Sequence, residues 1–159
     1  MISDLLRPES VVVQLESTDK DSLFCELTET LVRIQPSVDR AEVLAELYKR
    51  EELMNTCVMA GVAVPHANCR SVPQPMLAIG VSRAGIDYEL DGVGTKDYAQ
   101  SFVHVVFFML FPVTCVERHL KVLADCARLL RMPGFYNALL GAGSASELCR
   151  IIREFETSF

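Results

Sequence analysis

The amino-acid sequence predicts an α/β fold, a mixed β-sheet covered by helices, as a single domain over residues 1–159. Two observations carry this. Short β-branched or continuously apolar runs bounded by Gly, Pro and Asp read as strands, and the segments between and after them repeat apolar residues at helical spacing behind capping residues. The order is a strand, two helices, several strands and then three helices, which is how one sheet becomes covered by helices. Mixed strand direction is expected because Val81 and Tyr88 read as hairpin neighbours.

Taken in order, Val11-Val12-Val13 is a strand after a polar lead-in. Asp19 is placed to cap a helix in which Leu23, Leu27, Leu31 and Ile34 recur at helical spacing, and Pro36-Ser37 breaks it. Asp39 with Glu42 has the form of a capping box for a second helix, which turns Val43, Leu47 and Tyr48 inward and ends near Arg50 or Glu51. A strand over 62–64 leads into a loop at His66, closed by Ser71, Pro73 and Pro75. Residues 76–82 form a buried strand, and Gly85 starts a turn into Ile86-Asp87-Tyr88. Asp91-Gly92 is a further turn signal, and the polar, irregular stretch 93–102 reads as a mobile surface loop.

The run F-V-H-V-V-F-F-M-L-F at 102–111 is too short to span a bilayer and reads as a central buried strand, with His104 a sheet histidine in need of a hydrogen-bond partner. Thr114 and Glu117 have capping-box spacing, opening a helix that faces the core with Val116, Leu120, Leu123, Ala127 and Leu130. Pro133 starts a short helix ended by Gly141 and Gly143. Ser144 with Glu147 caps the last helix, which carries Leu148, Ile151, Ile152 and Phe155 on one face.

At 159 residues the chain can bury roughly 70% of its unfolded surface. Half the residues are hydrophobic, and 15 basic against 21 acidic side chains give a net charge of −6. With no basic run and no interleaving of aromatic with basic residues, nucleic acid and anionic membrane surfaces are poor partners. No signal-peptide pattern opens the chain, no membrane insertion is expected, and a cytoplasmic location follows. The six cysteines form no C-x-x-C pair and read as reduced, small hydrophobes. No glycine-rich phosphate loop is present, so no nucleotide cofactor is implied.

The stretch with the most chemistry is R-E-E-L-M-N-T-C-V-M-A-G-V-A-V-P-H-A, from Arg50 to Ala67. Pro65 holds Val64 extended and offers no N–H to a ladder, so the strand is expected to stop and present His66 at a sheet edge or end. His66 as a polar turn residue and Arg50 as a last-turn cation paired with Glu46 are the alternatives. His119 lies near the start of its helix, where unpaired N–H groups favour a phosphate, or else is simply solvated there.

G-V-A-V-P-H-A, with R-E and Thr56 ahead of it, resembles the phosphorylation-site signature of the mannitol/fructose-type enzyme IIA of the bacterial phosphoenolpyruvate-dependent sugar phosphotransferase system. H-L-K-V-L at His119, A-R-L-L at Ala127 and the closing S-x-x-E-L helix fit the same family, and I-S-D-L-L-R-P-E at the start is most similar to its nitrogen-regulatory branch. Against that family, Met59 and Cys57 stand where glycines are usual, and 93–102 is an insertion. The resemblance implies the enzyme IIA fold and a phosphoryl carrier. It implies that His66 takes the group from the histidine phosphocarrier protein, that Arg50 and His119 assist and that Thr56 supports the loop. The onward partner would be a regulatory target or a IIB protein in sugar uptake. A transfer between imidazoles requires no metal or other cofactor. A rival reading takes His66, Cys69, Cys115 and His119 as a Cys₂His₂ zinc set.

Overall fold

Strand β6 (Phe102–Pro112) is apolar over nearly its whole length because it is buried on both faces and paired on both edges. The computed structural model describes residues 1–88 and 102–158. Among these, two 3₁₀ turns (Ile2–Leu5 and Pro8–Ser10) precede β1 (Val11–Val12), α1 (Lys20–Ile34) and α2 (Arg40–Leu53). Then come β2 (Cys57–Met59), β3 (Val62–Ala63), β4 (His66–Cys69) and β5 (Met76–Asp87), with α3 (Val116–Leu130), α4 (Phe135–Leu140) and α5 (Ala145–Glu156) after β6.

The described strands make one mixed sheet in the order β1-β5-β6-β3-β2, with β4 also paired to β6. β5 runs antiparallel to β6, whereas β1 is parallel to β5, and β3 and β4 are parallel to β6. Along β6, Val105, Phe107, Met109 and Phe111 point to one face, under α3 to α5, and Val106, Phe108 and Leu110 to the other, under α1 and α2. The expected fold class and the central position of 102–111 are therefore observed, and no described helix is long and apolar enough to cross a membrane.

Several local expectations change. Gly85 does not turn the chain: 76–87 is one strand, so Val81 and Tyr88 are not hairpin neighbours. Its positive φ of 94° accompanies a register shift between Val81 and Ile86, which absorbs the irregularity as a bulge. Mixed direction arises instead from the pairing of β5 with β6. Tyr48 is exposed, with its ring against Phe24 and its hydroxyl donating to Asp21. Helix α2 continues to Leu53, past Arg50 and Glu51. Asp39 caps it as expected, yet Glu42 turns outward and accepts from the amides of Arg70 and Ser71 (both 3.0 Å), tying α2 to the segment after β4.

At α3 the Thr114–Glu117 box does not form, because the helix starts one residue later with Cys115 at its N-cap and no side-chain cap. Val116, Leu120 and Ala127 are exposed, and the buried stripe runs through Val122, Cys126, Leu129 and Leu130. Asp19 and Ser144 cap α1 and α5 as expected, through the amides of Ser22 and Glu147. The insertion at 93–102 falls outside the described residues except for Phe102, the first residue of β6.

Gly61 turns β2 back into β3 with φ +82°, and a Cβ there would collide with the Tyr136 hydroxyl. Gly141 ends α4 with φ −84° and has only ordinary contacts around it. Gly61→Ala is therefore expected to destabilise the fold by about 1–2 kcal/mol, the cost of a left-handed non-glycine residue. Gly141→Ala should be neutral or stabilise by up to ~1 kcal/mol. Urea unfolding midpoints of the two variants check this contrast.

Candidate functional site

The site begins with a backbone constraint. Val62-Ala63 and His66 to Cys69 both pair with β6 at the same offset, Ala63 opposite Val106 and His66 opposite Met109, so the chain passes along one edge of β6 with Val64-Pro65 between the two pairings. Pro65 has no N–H to give, though its carbonyl still accepts from Met109 N (3.0 Å). Val64 N donates to Thr56 O (2.9 Å). His66 is thus the first residue of a strand and not part of a loop, contrary to expectation.

Strand alternation sets what His66 faces. Ala67 and Cys69 point into the core under α1 and α2, so His66 points to the opposite face, toward α3. His66 Nδ1 lies 2.9 Å from Val64 O. A carbonyl only accepts, so Nδ1 carries the proton and Nε2 keeps its lone pair. Arg50 Nε donates to that Nε2 at 3.3 Å while its Nη1 donates to Met54 O at 2.9 Å. The last turn of α2 therefore brings Arg50 to His66, and the alternative pairing with Glu46 is not the geometry observed.

His119 reaches the same place from α3. Its ring stacks on Phe111 (centroids 4.0 Å apart, 16° between planes) and meets the His66 ring edge-on at 5.7 Å. It opens the buried stripe of α3 with Val122 and Cys126. Arg50, His66 and His119 line a depression of about 260 Å³ together with Lys49, Leu53 and Asn68. Burial holds the His66 imidazole below 6.5, with Arg50 adding to the effect and the Val64 carbonyl and Glu51 opposing it. His119 is also held below 6.5, first by burial and then by His66.

The other sequence-picked residues divide. Thr56 is buried outside the depression and bonds Glu51 and Tyr88 through its hydroxyl. His104 is a sheet histidine whose Nδ1 lies 2.8 Å from Ser82 O. The zinc set does not assemble: Cys69 is three residues from His66 in a strand and so faces away from it, buried, with its thiol pushed up to about 12. Among the described residues no group of three or more His, Cys, Asp or Glu side chains is placed to hold a metal ion. Cys57 and Met59 form β2, a strand that the irregular approach sequence did not suggest.

The model of the family "Phosphoenolpyruvate-dependent sugar phosphotransferase system, EIIA 2" matches residues 4–155. The chain belongs to this family. Among its relatives, the nitrogen regulatory protein of Bradyrhizobium diazoefficiens is 33% identical over 131 residues, covering 82% of this chain and 80% of that protein. The fructose-specific EIIABC component of Bacillus subtilis is 29% identical over 98% of this chain, which spans only 23% of that longer protein. The crystal structure of nitrogen regulatory protein IIA-Ntr from Neisseria meningitidis superposes with a TM-score of 0.82 at 27% identity, covering 95% of this chain and 98% of that one. The fold of this EIIA-type chain is thus that of the regulatory IIA proteins as well as of the sugar-specific ones.

Sequence reasoning picked out Thr56 behind the site and missed its partners. Glu51, beside Arg50, is nearly fully buried and gathers Lys20, Thr56 and Tyr88 around its carboxylate. The only sequence signal was the R-E pair itself, and partners on separate elements leave no local pattern.

Because both imidazoles are held below 6.5, the unfolded chain binds more protons than the folded one just below that pH. Stability should be fully present above pH 6.5 and fall as the pH drops toward the folded-state values. NMR titration of the ring protons should give midpoints below 6.5 for both residues, and His66→Ala should raise that of His119 by removing the neighbouring charge.

Proposed function

We propose that this chain is a phosphoryl carrier that takes the group on Nε2 of His66. The observation that carries the reading is the fixed tautomer: Val64 O holds the proton on Nδ1 and leaves the Nε2 lone pair facing an open depression beside a guanidinium. The donor is the phosphorylated histidine phosphocarrier protein. The Nε2 lone pair forms the new P–N bond, the donor's P–N bond breaks, and its electron pair returns to the donor imidazole. Such a transfer asks the protein mainly for position and for charge opposite the equatorial oxygens. Arg50, whose bond to Nε2 is long at 3.3 Å, exchanges that bond for the incoming oxygens. His119 faces the same volume as a second donor. Thr56 supports the segment from behind.

A protein partner fits the rim. Apart from Met1 and Tyr48, every exposed large hydrophobic among the described residues lies at 53–59 or 113–120, the segments flanking Arg50 and His119. A small-molecule substrate would not need that surface. We place the reaction in the cytoplasm with its donor, a setting in keeping with cysteines that are free throughout the described chain.

For output we favour regulation of a target protein, supported by the similarity to nitrogen regulatory proteins in both sequence and fold. Passage to a IIB protein in sugar uptake is the second reading, favoured by the similarity to the fructose-specific component.

Incubation with phosphoenolpyruvate, enzyme I and the histidine phosphocarrier protein should add one acid-labile, alkali-stable phosphoryl group, seen by intact mass and located on His66. His66→Ala should stay folded and accept none; labelling of that variant at His119 would overturn the assignment. Arg50→Ala and His119→Ala each remove a contact worth about 1.5–3 kcal/mol and should slow acceptance about tenfold to a hundredfold.

A further inference from the structure

Behind the imidazole, and outside the depression, lies a buried polar cluster that the transfer chemistry does not itself use. Glu51 Oε2 is 3.1 Å from Lys20 Nζ, and the two side chains are only 6% and 10% exposed. Tyr88 donates its hydroxyl to Glu51 Oε1 (3.0 Å), and Thr56 donates to the same oxygen through its hydroxyl and to Oε2 through its amide (3.3 Å). Lys20 Nζ also stands 4.6 Å from the centre of the Tyr88 ring. Four segments meet here: the first turn of α1, the last turn of α2, the lead into β2 and the end of β5.

From this cluster a chain of hydrogen bonds runs to the nucleophile. Thr56 is held by Glu51 at both its hydroxyl and its amide. Its carbonyl receives Val64 N (2.9 Å), and the Val64 carbonyl receives His66 Nδ1 (2.9 Å). The neighbour of Glu51 in the same helical turn is Arg50, which addresses the other nitrogen of the same ring.

We propose that Glu51 is a positioning residue for the phosphoryl transfer, fixing the tautomer and aim of His66 through Thr56 and Val64, with Lys20 and Tyr88 holding its carboxylate in place. The inference rests on the carrier reading above and extends it to groups that never touch phosphate. A carboxylate held by one lysine and two hydroxyls has little freedom, so Thr56 O is fixed relative to α2. Val64 O is fixed in turn by the bond at its own amide. Without that anchor the Val64 carbonyl is free to rotate away, Nδ1 loses its acceptor, and the proton distributes between the two ring nitrogens. A ring protonated on Nε2 has no lone pair to offer there.

The alternative is a purely structural ion pair holding α1 to α2. Removing one buried charge alone would strand the other and confound the two, so the test removes both: Lys20→Met combined with Glu51→Met replaces the pair with apolar side chains of similar length, an exchange buried ion pairs often tolerate. The Thr56 and Tyr88 hydroxyls, 2.7 Å apart, remain to bond each other. Thr56→Val is the second variant; it keeps Lys20–Glu51 intact and cuts only the hydroxyl link.

The readout is the ¹⁵N spectrum of His66, which separates the two neutral tautomers without any phosphorylation, alongside the rate of phosphoryl acceptance. The wild-type ring should be almost wholly the Nδ1–H form. The double variant should populate the Nε2–H form substantially and accept phosphate about tenfold more slowly, and Thr56→Val should move both quantities in the same direction by less. A wild-type tautomer distribution in either folded variant overturns the proposal and leaves Glu51 a structural residue. Wild-type protein that takes no phosphate would instead sink the carrier reading, while the tautomer comparison would still decide the role of Glu51.

Discussion

The edge of β6 that receives β3 and β4 is the constraint from which the rest of the site follows. Its partner segment must supply hydrogen bonds from Val62 to Cys69, and at Pro65 one donor is missing. The chain keeps register across the gap, so nothing is displaced along β6; Pro65 still accepts from Met109 N, and it is the amide and carbonyl of Val64 that turn to other partners. Val64 N then turns to Thr56, and Val64 O is left to a side chain. A buried carbonyl without a donor costs about 1–3 kcal/mol. That cost is a physical reason for the Nδ1–H tautomer: the same bond satisfies the backbone and prepares Nε2.

Two kinds of bond meet on the one imidazole. At Nδ1 the bond is short, internal to the segment and continuous with a buried network. At Nε2 the bond to Arg50 is 3.3 Å long, and among the described residues Arg50 is otherwise hydrogen-bonded only to Met54 O. On the proposed carrier reading, a weak bond at Nε2 would be easily exchanged for phosphoryl oxygens, whereas a strong one would oppose the incoming group. The network behind it gives little net stability, because desolvating Lys20 and Glu51 offsets much of their attraction. Its value lies in geometry, which is why it spans four segments where a pair of apolar residues would have packed as well.

Much of this was legible in the sequence, and the failures share a cause. β6 was legible because ten consecutive positions are apolar or His104, and His66 because Pro65 marks the end of a pairing segment. Gly85 was misread because a glycine with positive φ serves a turn and a bulge equally, and only the partner strand decides between them. The stripe of α3 was misplaced because both Val116–Leu120–Leu123 and His119–Val122–Cys126 fit a helical period. The sheet selects the second through Phe111; of the first, Val116 and Leu120 are left exposed and Leu123 packs only partly against the core. Glu51 could not be distinguished from the solvated glutamates around it, because its burial depends on Lys20, Thr56 and Tyr88 arriving from other elements.

The misplaced stripe explains how one histidine could report to a partner. If Val116 and Leu120 packed inward, His119 would point to solvent and the rim of the depression would be polar. Instead the ring of His119 lies flat on Phe111 and Val116 and Leu120 of the same turns stay exposed, as Leu53 and Met54 do beside Arg50. A partner seated on that rim would cover His66 and exclude water from it. Charge on Nε2 would then act through a thin, poorly screened layer and not across the ~8 Å over which salt damps exposed charges. A phosphoryl group proposed there would exchange the Arg50–Nε2 bond for oxygens carrying negative charge, with exposed apolar side chains in the segments on either side. The chain's net charge of −6 is of little consequence beside that local change. A surface with a basic centre and an apolar border would gain from the phosphorylated state, and one with an acidic centre would lose. The two readings of the chain's output therefore need no difference in fold or in chemistry at His66, only a different charge at the centre of the surface that meets it.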